Sequence, residues 1–479
     1  MKHALYIAAA LVMMLSVTGC SGSKKETLDI RSEADLTGLT LAVSNGSYYQ
    51  TKFSKREDVK LFVTSTDADA VQAVRQGLAD VYVSDEVMLT REDQARLGMK
   101  IAFRGDEAFD VAFSIRKGNE SLRTQLNSFL ANEPLEGIID HWVNEGPAVE
   151  EPACDIPADA APLRCICCMN LSPISFVGDG GQWMGLEPDI LRRFAHSMGR
   201  PFEMKYQDFA SAIIALQSGK ADIVSSCLFV TEERKKSVDF SNPYYSCHPG
   251  YFVLDRENKL RPSLGERIRM NLVTDNRWKL ITNGLLETIK ITLLSILLGT
   301  ILGMGICACK RSRRKWLRNF AGVYGAFING MPTLVLLLVM FYVVLANAGV
   351  SATLVAIITF AMCFASSSGS IFNTAISSVP SGQTEASLAL GFTPFKTFTG
   401  IVFPQALKHG LPLYASDCVS LLKSTSIVGY IAIQDVTRAS DIIRSRTFDA
   451  LIPLLIITIL YFVLAWIIRK LLNLILIKK

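Results

Sequence analysis

Charged residues are scarce in this chain. Of its 479 residues, 19% are Asp, Glu, Lys or Arg and half are hydrophobic, whereas soluble domains average about 25% charged residues. This deficit predicts that part of the chain lies in lipid. The net charge of +5 does not indicate a nucleic-acid partner. The clearest basic cluster, at 310–318, directly follows a long apolar run, where basic residues mark the cytoplasmic end of a membrane helix.

The motifs of common hydrolases and nucleotide-binding enzymes are absent too. The chain contains no GxSxG, HExxH or GxxxxGK[ST] pattern, and it has five histidines. Without a P-loop it has no ATPase site of its own. We therefore expect no enzymatic activity, no metal and no cofactor.

The first apolar run, at 4–17, is short for a membrane span, which needs about 20 residues. Residues 1–20 are therefore predicted to be a signal peptide. The sequence VTGC at 17–20 resembles a bacterial lipobox, with Cys20 as the lipidated residue. The alternative is ordinary signal cleavage with an incidental Cys20. Under either interpretation the domain that follows is expected outside the cytoplasm.

Eleven cysteines do not form a clear metal or disulfide pattern. The CICC run contains Cys165, Cys167 and Cys168, but it has no second paired cluster at the spacing of a zinc site. The run falls where we expect a buried strand, and a reduced cysteine packs well in an apolar core. A disulfide with Cys154 or a neighbouring cysteine and a metal site are the alternatives.

Long apolar runs begin near residue 279. We count five predicted spans, at 281–307, 331–347, 350–366, 412–433 and 450–470. Asp417 and Lys423 interrupt the fourth, and such residues should face protein or a water-filled path. Five spans connect an outside N-terminal domain to an inside C-terminus, and the basic clusters lie at inside ends. We therefore expect a multi-pass protein of the bacterial cytoplasmic membrane.

Two soluble segments precede the membrane part, at 24–147 and 163–256. Residues 148–162 are rich in Pro, Ala and acids and read as a linker, and residues 257–280 form a second linker before the membrane domain at 281–479.

The soluble segments share an internal echo. The sequence AVRQGLADV at 73–81 matches ALQSGKADI at 215–223. In each, a helix is expected to end at Gly and an Asp to open an apolar strand. The echo predicts two similar α/β lobes, and chance similarity of generic helix–Gly–strand units is the alternative.

The second soluble segment resembles the first lobe of the periplasmic binding proteins for polar amino acids. The matching residues are Pro173 and Phe176, GLEPDI at 185–190, LQSGKAD at 216–222, TEER at 231–234 and VDFSNPY at 238–244.

The first soluble segment resembles the second lobe of that family and the segment that returns to lobe one. The matching residues are DLTG at 35–38, NGS at 45–47, GLAD at 77–80 with Asp85, IRKGN at 115–119, and LEG at 135–137 with Trp142. The lobe order is reversed relative to the family. The resemblance therefore implies one circularly permuted two-lobed α/β binding domain, which close, exposed termini permit. The alternative is two degenerate tandem domains.

The membrane part resembles the permease subunits of ABC importers for polar amino acids. The matching residues are Gly284, Thr288, Gly299 and Gly303, GMP at 330–332, GQTEA at 382–386, ALG at 389–391, FPQAL at 403–407 and LLKSTS at 421–426. The resemblance implies that Gly382, Glu385, Ala386 and Gly391 belong to a cytoplasmic helix that docks on an ATPase subunit. We expect Glu385 near the helix N-terminus, where an acid is favoured, and Gly391 at its end. A structural amphipathic loop is the alternative.

The binding-protein resemblance also implies ligand contacts. Arg234 matches the carboxylate-binding arginine, Asp85 the ammonium-binding acid, and Ser47 a hydroxyl that binds the carboxylate. Phe209 matches an aromatic residue that packs on the ligand side chain. Cys227 stands where the family often has a small hydroxyl residue, so we expect a more apolar pocket.

Each of these ligand assignments has a structural alternative. Arg234 could pair on a helix surface, Asp85 could cap a helix, and Phe209 could be plain core.

These resemblances predict an amino-acid importer subunit with its binding domain fused to it. The expected partners are an ATPase dimer, a second permease copy, an amino-acid ligand and membrane lipid. A ligand-gated channel or receptor is the alternative, although no TVGYG-like filter is present.

Overall fold

A computed structural model describes residues 28–144, 147–150, 156–157, 159–169, 172–178, 182–207, 209–255, 262–346 and 348–477. The signal peptide with Cys20, and Cys154, lie outside these residues, so both remain predictions. The chain divides into two units: Met1–Ala108 with His248–Arg261, and Phe109–Cys247 with Pro262–Lys479.

The strands of the described residues belong to the soluble segments. In chain order they are β1 Thr40–Ser44, β2 Lys60–Thr64, β3 Val81–Asp85, β4 Met99–Arg104, β5 Phe109–Val111, β6 Ser114–Arg116, β7 Leu163–Cys167, β8 Phe176–Val177, β9 Trp183–Met184, β10 Phe202–Tyr206, β11 Ile223–Ser225, β12 Val238–Phe240, β13 Tyr245–Cys247 and β14 Pro249–Leu254.

Short helices alternate with these strands. They are α1 Tyr48–Phe53, α2 Asp67–Arg75, α3 Arg91–Leu97, α4 Glu120–Asn132, α5 Leu135–Val143, α6 Leu186–Ser197, α7 Phe209–Gln217 and α8 Glu232–Lys235, with 3₁₀ turns at Glu33–Leu36 and Glu86–Met88.

The first unit, called lobe two here, is one five-stranded sheet with the order β2-β1-β3-β14-β4. Strand β1 is parallel to β2 and β3, while β14 is antiparallel to β3 and β4. All of β3 is buried, as expected of a parallel strand covered on both faces. The predicted boundary of lobe one at residue 256 is therefore wrong, because β14 hydrogen-bonds into the sheet of lobe two.

The soluble part of the second unit, called lobe one here, repeats this arrangement with the order β10-β7-β11-β6-β12. Strand β7 is parallel to β10 and β11, and β6 is antiparallel to β11 and β12. Strand β6 comes from the segment at 24–147 and pairs with two strands of the segment at 163–256. Each sheet thus takes one strand from the other soluble segment, and the two-lobed α/β prediction is confirmed.

The internal echo has a common physical basis in both sheets. Asp80 accepts a hydrogen bond from the Thr40 backbone N–H at 2.9 Å, and Asp222 accepts one from the Arg164 N–H at 2.9 Å. Gly77 and Gly219, which precede these acids, have φ values of +77° and +72°. Glycine adopts this left-handed conformation without steric cost. The echo therefore encodes a repeated helix–turn–strand junction.

The CICC run forms the buried strand that was predicted for it. Cys165 and Cys167 lie in β7, 2% and 0% exposed, and both thiols are reduced. Burial raises the pKa of Cys167 to about 12, so this thiol is protonated and inert at neutral pH.

The membrane part is entirely helical in the described residues. Its helices are α9 Leu264–Ile268, α10 Trp278–Arg311, α11 Lys315–Asn329, α12 Thr333–Val339, α13 Ala352–Ser377, α14 Ser381–Ala389, α15 Pro394–Thr397, α16 Phe403–Ser424, α17 Val436–Thr447 and α18 Leu451–Ile477. Wide π turns at Arg269–Val273, Met340–Val344 and Phe398–Val402 and 3₁₀ turns at Thr274–Asn276 and Thr425–Ile431 link them.

Three of the described helices, α10, α13 and α18, are long and apolar enough to cross a membrane. A fourth candidate is the pair Lys315–Asn329 and Thr333–Val344, which is bent by 101°. The fourth predicted run, 412–433, falls within α16 and the 3₁₀ turn after it. Helix α16 contains Asp417, which accepts a hydrogen bond from Ser367 at 2.6 Å. The count of five spans therefore remains a prediction.

Glycines of α10 permit close helix contacts. A Cβ on Gly299 would lie 2.9 Å from the Ala361 carbonyl oxygen, and one on Gly284 would lie 2.6 Å from that of Asp435. Small residues at such positions allow helix backbones to approach each other. The permease-like glycines predicted from sequence are therefore packing positions.

The predicted linker at 257–280 is folded from residue 264 onward. Arg267 of α9 makes two hydrogen bonds to the Asp449 carboxylate, at 2.6 and 2.8 Å. The buried Asn271 side chain donates to the same carboxylate at 3.0 Å. This network fixes the entry to α10 against the start of α18.

Candidate functional site

The predicted ligand residues of lobe one follow the carboxyl ends of its parallel strands. Phe209 begins α7 after β10, Cys227 follows β11, and Arg234 lies on α8. Ligands of open α/β sheets bind at this edge. The fold therefore gathers these three predicted residues at the edge where binding chemistry is expected.

Arg234 and Phe209 are in direct contact. The Arg234 guanidinium carbon lies 5.2 Å from the centroid of the Phe209 ring, within the range of a cation–π interaction. Its Nη1 atom also donates to the Phe229 carbonyl oxygen at 3.1 Å. The Thr231 hydroxyl caps α8 by accepting from the Arg234 N–H. The arginine is thus held at its base and beside an aromatic ring, with part of its surface exposed.

Cys227 is positioned by a buried acid that the sequence analysis matched to the family but gave no role. Its backbone has φ of +49°, and its N–H donates to Glu187 Oε1 at 2.7 Å. Glu187 is fully buried and also accepts from the Ser175 hydroxyl at 2.8 Å and from the Tyr244 hydroxyl. Burial raises the pKa of Glu187. The sequence signal for it was an acid in the first turn of a helix directly after a glycine.

Ser47 and Asp85 of lobe two are linked through Tyr49. The Ser47 hydroxyl caps α1 by accepting from the Gln50 N–H at 3.1 Å. Tyr49 lies on that helix, and its hydroxyl donates to Asp85 Oδ1 at 2.7 Å. Asp85 ends β3 and is 5% exposed. Its side chain does not cap the 3₁₀ turn that follows, so the capping alternative is not observed. Sequence reasoning missed Tyr49.

The predicted coupling segment is the helix α14. Gly382, Glu385 and Ala386 are exposed on it. Glu385 is the fifth residue of the helix, and the first turn contains no acid. The prediction that Glu385 lies near the N-terminus is therefore wrong, because the helix begins earlier, at Ser381. The effect of a helix dipole falls off within the first turn, so the dipole of α14 does not stabilise the charge of Glu385.

Gly391 ends α14 as predicted. It has φ of +83°, its N–H donates to the Leu388 carbonyl at 3.0 Å, and the Phe392 N–H donates to the Ser387 carbonyl at 3.2 Å. These two bonds form a Schellman C-cap, which favours glycine at this position.

The coupling segment exposes apolar side chains. Leu390 is 78% exposed and Phe395 is 76% exposed, and Leu388 and Phe392 are also exposed. Its single buried residue within α14 is Ser387, whose hydroxyl pairs with that of Thr397 at 2.9 Å. Ser387 thus fixes α14, and the residues from Leu388 to Phe395, which end α14 and lead into α15, present an apolar surface, as an interaction site does.

Sequence comparisons match both parts of the chain. The profile of the bacterial extracellular solute-binding proteins, family 3, matches residues 163–408. The L-cystine transport system permease protein TcyB of Bacillus subtilis is 32% identical over 214 residues, which are 44% of this chain and 90% of that protein. The putative glutamine transport system permease protein GlnP of Rickettsia typhi is 27% identical over 190 residues, 39% of this chain and 87% of that protein.

A structural comparison gives a similar neighbour. The crystal structure of an amino acid ABC transporter with histidines matches at 30% identity and a TM-score of 0.40, covering 45% of this chain and 98% of that one. On the two sequence matches, the chain belongs to the bacterial extracellular solute-binding proteins of family 3 and, through its C-terminal part, to the permease proteins of amino-acid ABC transporters.

Proposed function

We propose that this chain is the combined substrate-binding and permease subunit of an ATP-driven importer for polar amino acids or related compounds. The observation that carries the proposal is the joining of a family 3 binding-protein match and an amino-acid permease match in one polypeptide. The similarity to permease proteins favours an importer over the alternative of a ligand-gated channel. Because the chain has no P-loop, ATP hydrolysis is assigned to a separate subunit.

The soluble segments form one circularly permuted binding domain in this proposal. The family match begins at residue 163, which is the first residue of β7. The exchange of β6 and β14 between the two soluble segments supports one domain over two degenerate ones. Two separate domains would each lack strands that their sheets need.

Each lobe contributes one charge to amino-acid binding. Arg234 of lobe one binds the ligand carboxylate, for which a guanidinium supplies paired donors, and Ser47 adds a hydroxyl. Asp85 of lobe two binds the ammonium group. Phe209 packs on the ligand side chain, and Cys227 lies beside the ligand carboxylate. The names of the relatives make L-cystine and L-glutamine the first candidates.

Transport requires partners in this proposal. The apolar surface of α14 docks on an ATPase subunit, and an ATPase dimer acts on two permease copies, most simply two copies of this chain. ATP-driven closure of the dimer moves α14 and opens the pore outward, and hydrolysis resets it. Signal cleavage and lipidation at Cys20 place the binding domain outside the cytoplasm, with the spans in the inner membrane.

Thermal unfolding of the purified full-length chain in detergent tests this proposal. The panel consists of the common amino acids and L-cystine, each at millimolar concentration. We expect one ligand or a small group of them to raise the midpoint, because a ligand that binds only the native state stabilises it. A cooperative transition that no member of the panel shifts would contradict an amino-acid ligand.

Coupling is tested by Glu385→Lys in cells that carry the variant on the chromosome. Glu385 is exposed and outside the first turn, so the substitution leaves helix stability almost unchanged. We expect uptake of labelled amino acid to fall at least about tenfold because a like-charge or misfit contact disturbs docking. Ligand binding by the purified variant should stay within about twofold of the original. The control is Lys396→Glu on α15, whose effect on uptake should be smaller.

A further inference from the structure

The junction between β10 and α7 contacts the membrane part of the same unit. The Gln207 Nε2 atom donates to the Tyr342 hydroxyl at 2.9 Å and to the Tyr430 carbonyl oxygen at 2.7 Å. The Tyr342 hydroxyl donates in turn to the Ser211 carbonyl oxygen at 3.4 Å. One amide of lobe one therefore bonds to two separate segments of the membrane part.

The two hydrogen bonds that the Gln207 amide donates account for the burial of this side chain. The residue is 1% exposed, and its Oε1 atom is buried and accepts no hydrogen bond from the residues that the structure describes. A buried acceptor without a partner costs free energy. Most buried polar atoms in proteins are paired, so an exception calls for a reason. The two donor bonds to the membrane part provide that reason.

The same junction leads directly to the ligand residues. Gln207 precedes Phe209 by two positions, and the Phe209 ring lies beside the Arg234 guanidinium. Phe209 also packs on the core of lobe one, and Tyr342 packs on that same core. A displacement of Phe209 by a ligand therefore acts on Tyr342, a hydrogen-bond partner of Gln207, through shared packing.

On the membrane side the two partners belong to different helices. Tyr342 lies in the π turn Met340–Val344 that continues α12, and it also packs on the core of the membrane helices. Tyr430 lies in the 3₁₀ turn Thr425–Ile431 that continues α16. Helix α16 follows the coupling segment along the chain. Gln207 thus connects lobe one to the bent segment and to the helix that leads back to the coupling surface.

Other contacts hold lobe one on the membrane part independently of Gln207. The Arg438 guanidinium lies 4.5 Å from the Tyr206 ring centroid. Lys220 donates to the Ala346 carbonyl oxygen at 2.6 Å, and Arg446 lies 4.8 Å from the Phe176 ring centroid. Removal of the Gln207 amide therefore leaves lobe one attached to the membrane part. An experiment can thus separate the attachment of lobe one from a role of Gln207 in coupling.

We propose that Gln207 is a positioning residue that couples ligand occupancy beside Phe209 to the membrane helices through Tyr342 and Tyr430. This inference rests on the proposed import function and deepens it. Ligand binding shifts Phe209, and the two bonds of Gln207 convert that shift into a change at the bent segment and at α16. Ligand binding then shifts the equilibrium between states of the membrane helices by a certain factor. By linkage, the change of state in those helices alters ligand affinity by the same factor.

The test compares Gln207→Ala with Lys205→Ala. Lys205 lies on β10 two residues before Gln207, pairs with Glu203 at 2.6 Å and has a half-exposed side chain. Binding of L-glutamine and L-cystine is measured on each full-length chain in detergent. Uptake of the same labelled compounds is measured in cells that carry each chromosomal variant. We expect Gln207→Ala to bind within about twofold of the original but to take up at least tenfold less. Lys205→Ala should match the original in both.

A second variant, Tyr342→Phe, removes the hydroxyl and keeps the ring in both packing clusters, so it should fold and lower uptake by a smaller factor. Normal uptake by Gln207→Ala would overturn the inference. A parallel loss of binding and uptake would also overturn it, because Gln207 would then serve the ligand site or the fold itself. An original chain that neither binds nor takes up either compound would count against the proposed function, whatever the variants do.

Discussion

The two lobes share a sheet plan, but they hold their proposed ligand-binding charges in different surroundings. In lobe one, Arg234 lies on a four-residue helix beside an aromatic ring and is partly exposed. In lobe two, Asp85 is 5% exposed and already accepts a hydrogen bond from Tyr49. The first charge is partly exposed and bonded to a backbone carbonyl, and the second is buried and bonded to a tyrosine hydroxyl.

This difference predicts unequal contributions to binding. A guanidinium can form two parallel bonds to a carboxylate. The Asp85 carboxylate shares its charge with Tyr49, so part of its interaction exists before a ligand arrives. We expect lobe one to supply more of the affinity than lobe two.

The largest expected effect is that of Arg234→Ala. Truncating one partner of a charged, desolvated pair costs about 2–5 kcal/mol, so affinity for the ligand identified in the unfolding panel should fall at least about 30-fold. Titration calorimetry on the full-length chain measures it. Lys235→Ala is the control, because Lys235 lies next to it on α8 and pairs with the exposed Glu232. Normal binding by Arg234→Ala would refute the assignment of this site.

A smaller effect is expected for Asp85→Asn. The variant keeps an acceptor for the Tyr49 hydroxyl but removes the charge that pairs with the ammonium group, so we expect a loss of about tenfold in affinity. Tyr49→Phe should lose about threefold or less, because the carboxylate remains. A loss for Asp85→Asn as great as that for Arg234→Ala would erase the proposed difference between the lobes.

The sequence predicted the parts of this architecture that depend on local chemistry. The glycine and aspartate of each echo, the buried CICC strand and the glycine that ends α14 all follow from conformational preference or burial pattern. The pairing of strands that are distant in sequence was harder to predict. Nothing local in the sequence at 249–254 tells which sheet β14 joins. The sequence analysis assigned these residues to lobe one and therefore misplaced the lobe boundary. The bend between α11 and α12 also depends on packing against other helices.

The site shows the same division. Family motifs identified Arg234, Asp85 and Phe209, because the charge or aromatic ring that each supplies is a property of its residue type. Glu187 and Tyr49 were given no role, since each acts on another residue through contacts distant in sequence. Glu385 was misplaced by one helical turn, because the start of a helix at Ser381 without a side-chain cap has no strong sequence signal.

The shared sheet plan gives a third prediction, on stability. Asp80→Ala leaves the Thr40 N–H of lobe two without its acceptor, and Asp222→Ala does the same to the Arg164 N–H of lobe one. Loss of the backbone bond should cost about 1 kcal/mol and lower the unfolding midpoint by about 2–4 °C, and Asp222→Ala should cost more because Asp222 also pairs with the Arg164 and Arg200 side chains. The matched controls are Asp80→Asn and Asp222→Asn, which keep an acceptor oxygen and should shift less. A larger cost for Asp80→Ala than for Asp222→Ala would show that this backbone bond does not have the same role in the two lobes.

The smallest expected effect concerns Glu187, the buried acid of lobe one. Burial raises its pKa in the folded protein above the ordinary value of 4.5, so above pH 4.5 the folded state binds more protons at this group than the unfolded state does. Stability from this group therefore falls as pH rises through the interval between 4.5 and the raised pKa. Other acids titrate in this interval, and the comparison with Glu187→Gln cancels them. The midpoint of the original chain should fall relative to that of the variant as pH rises above 4.5. Parallel pH profiles would show that Glu187 is charged in the folded protein, with its three donors outweighing its burial.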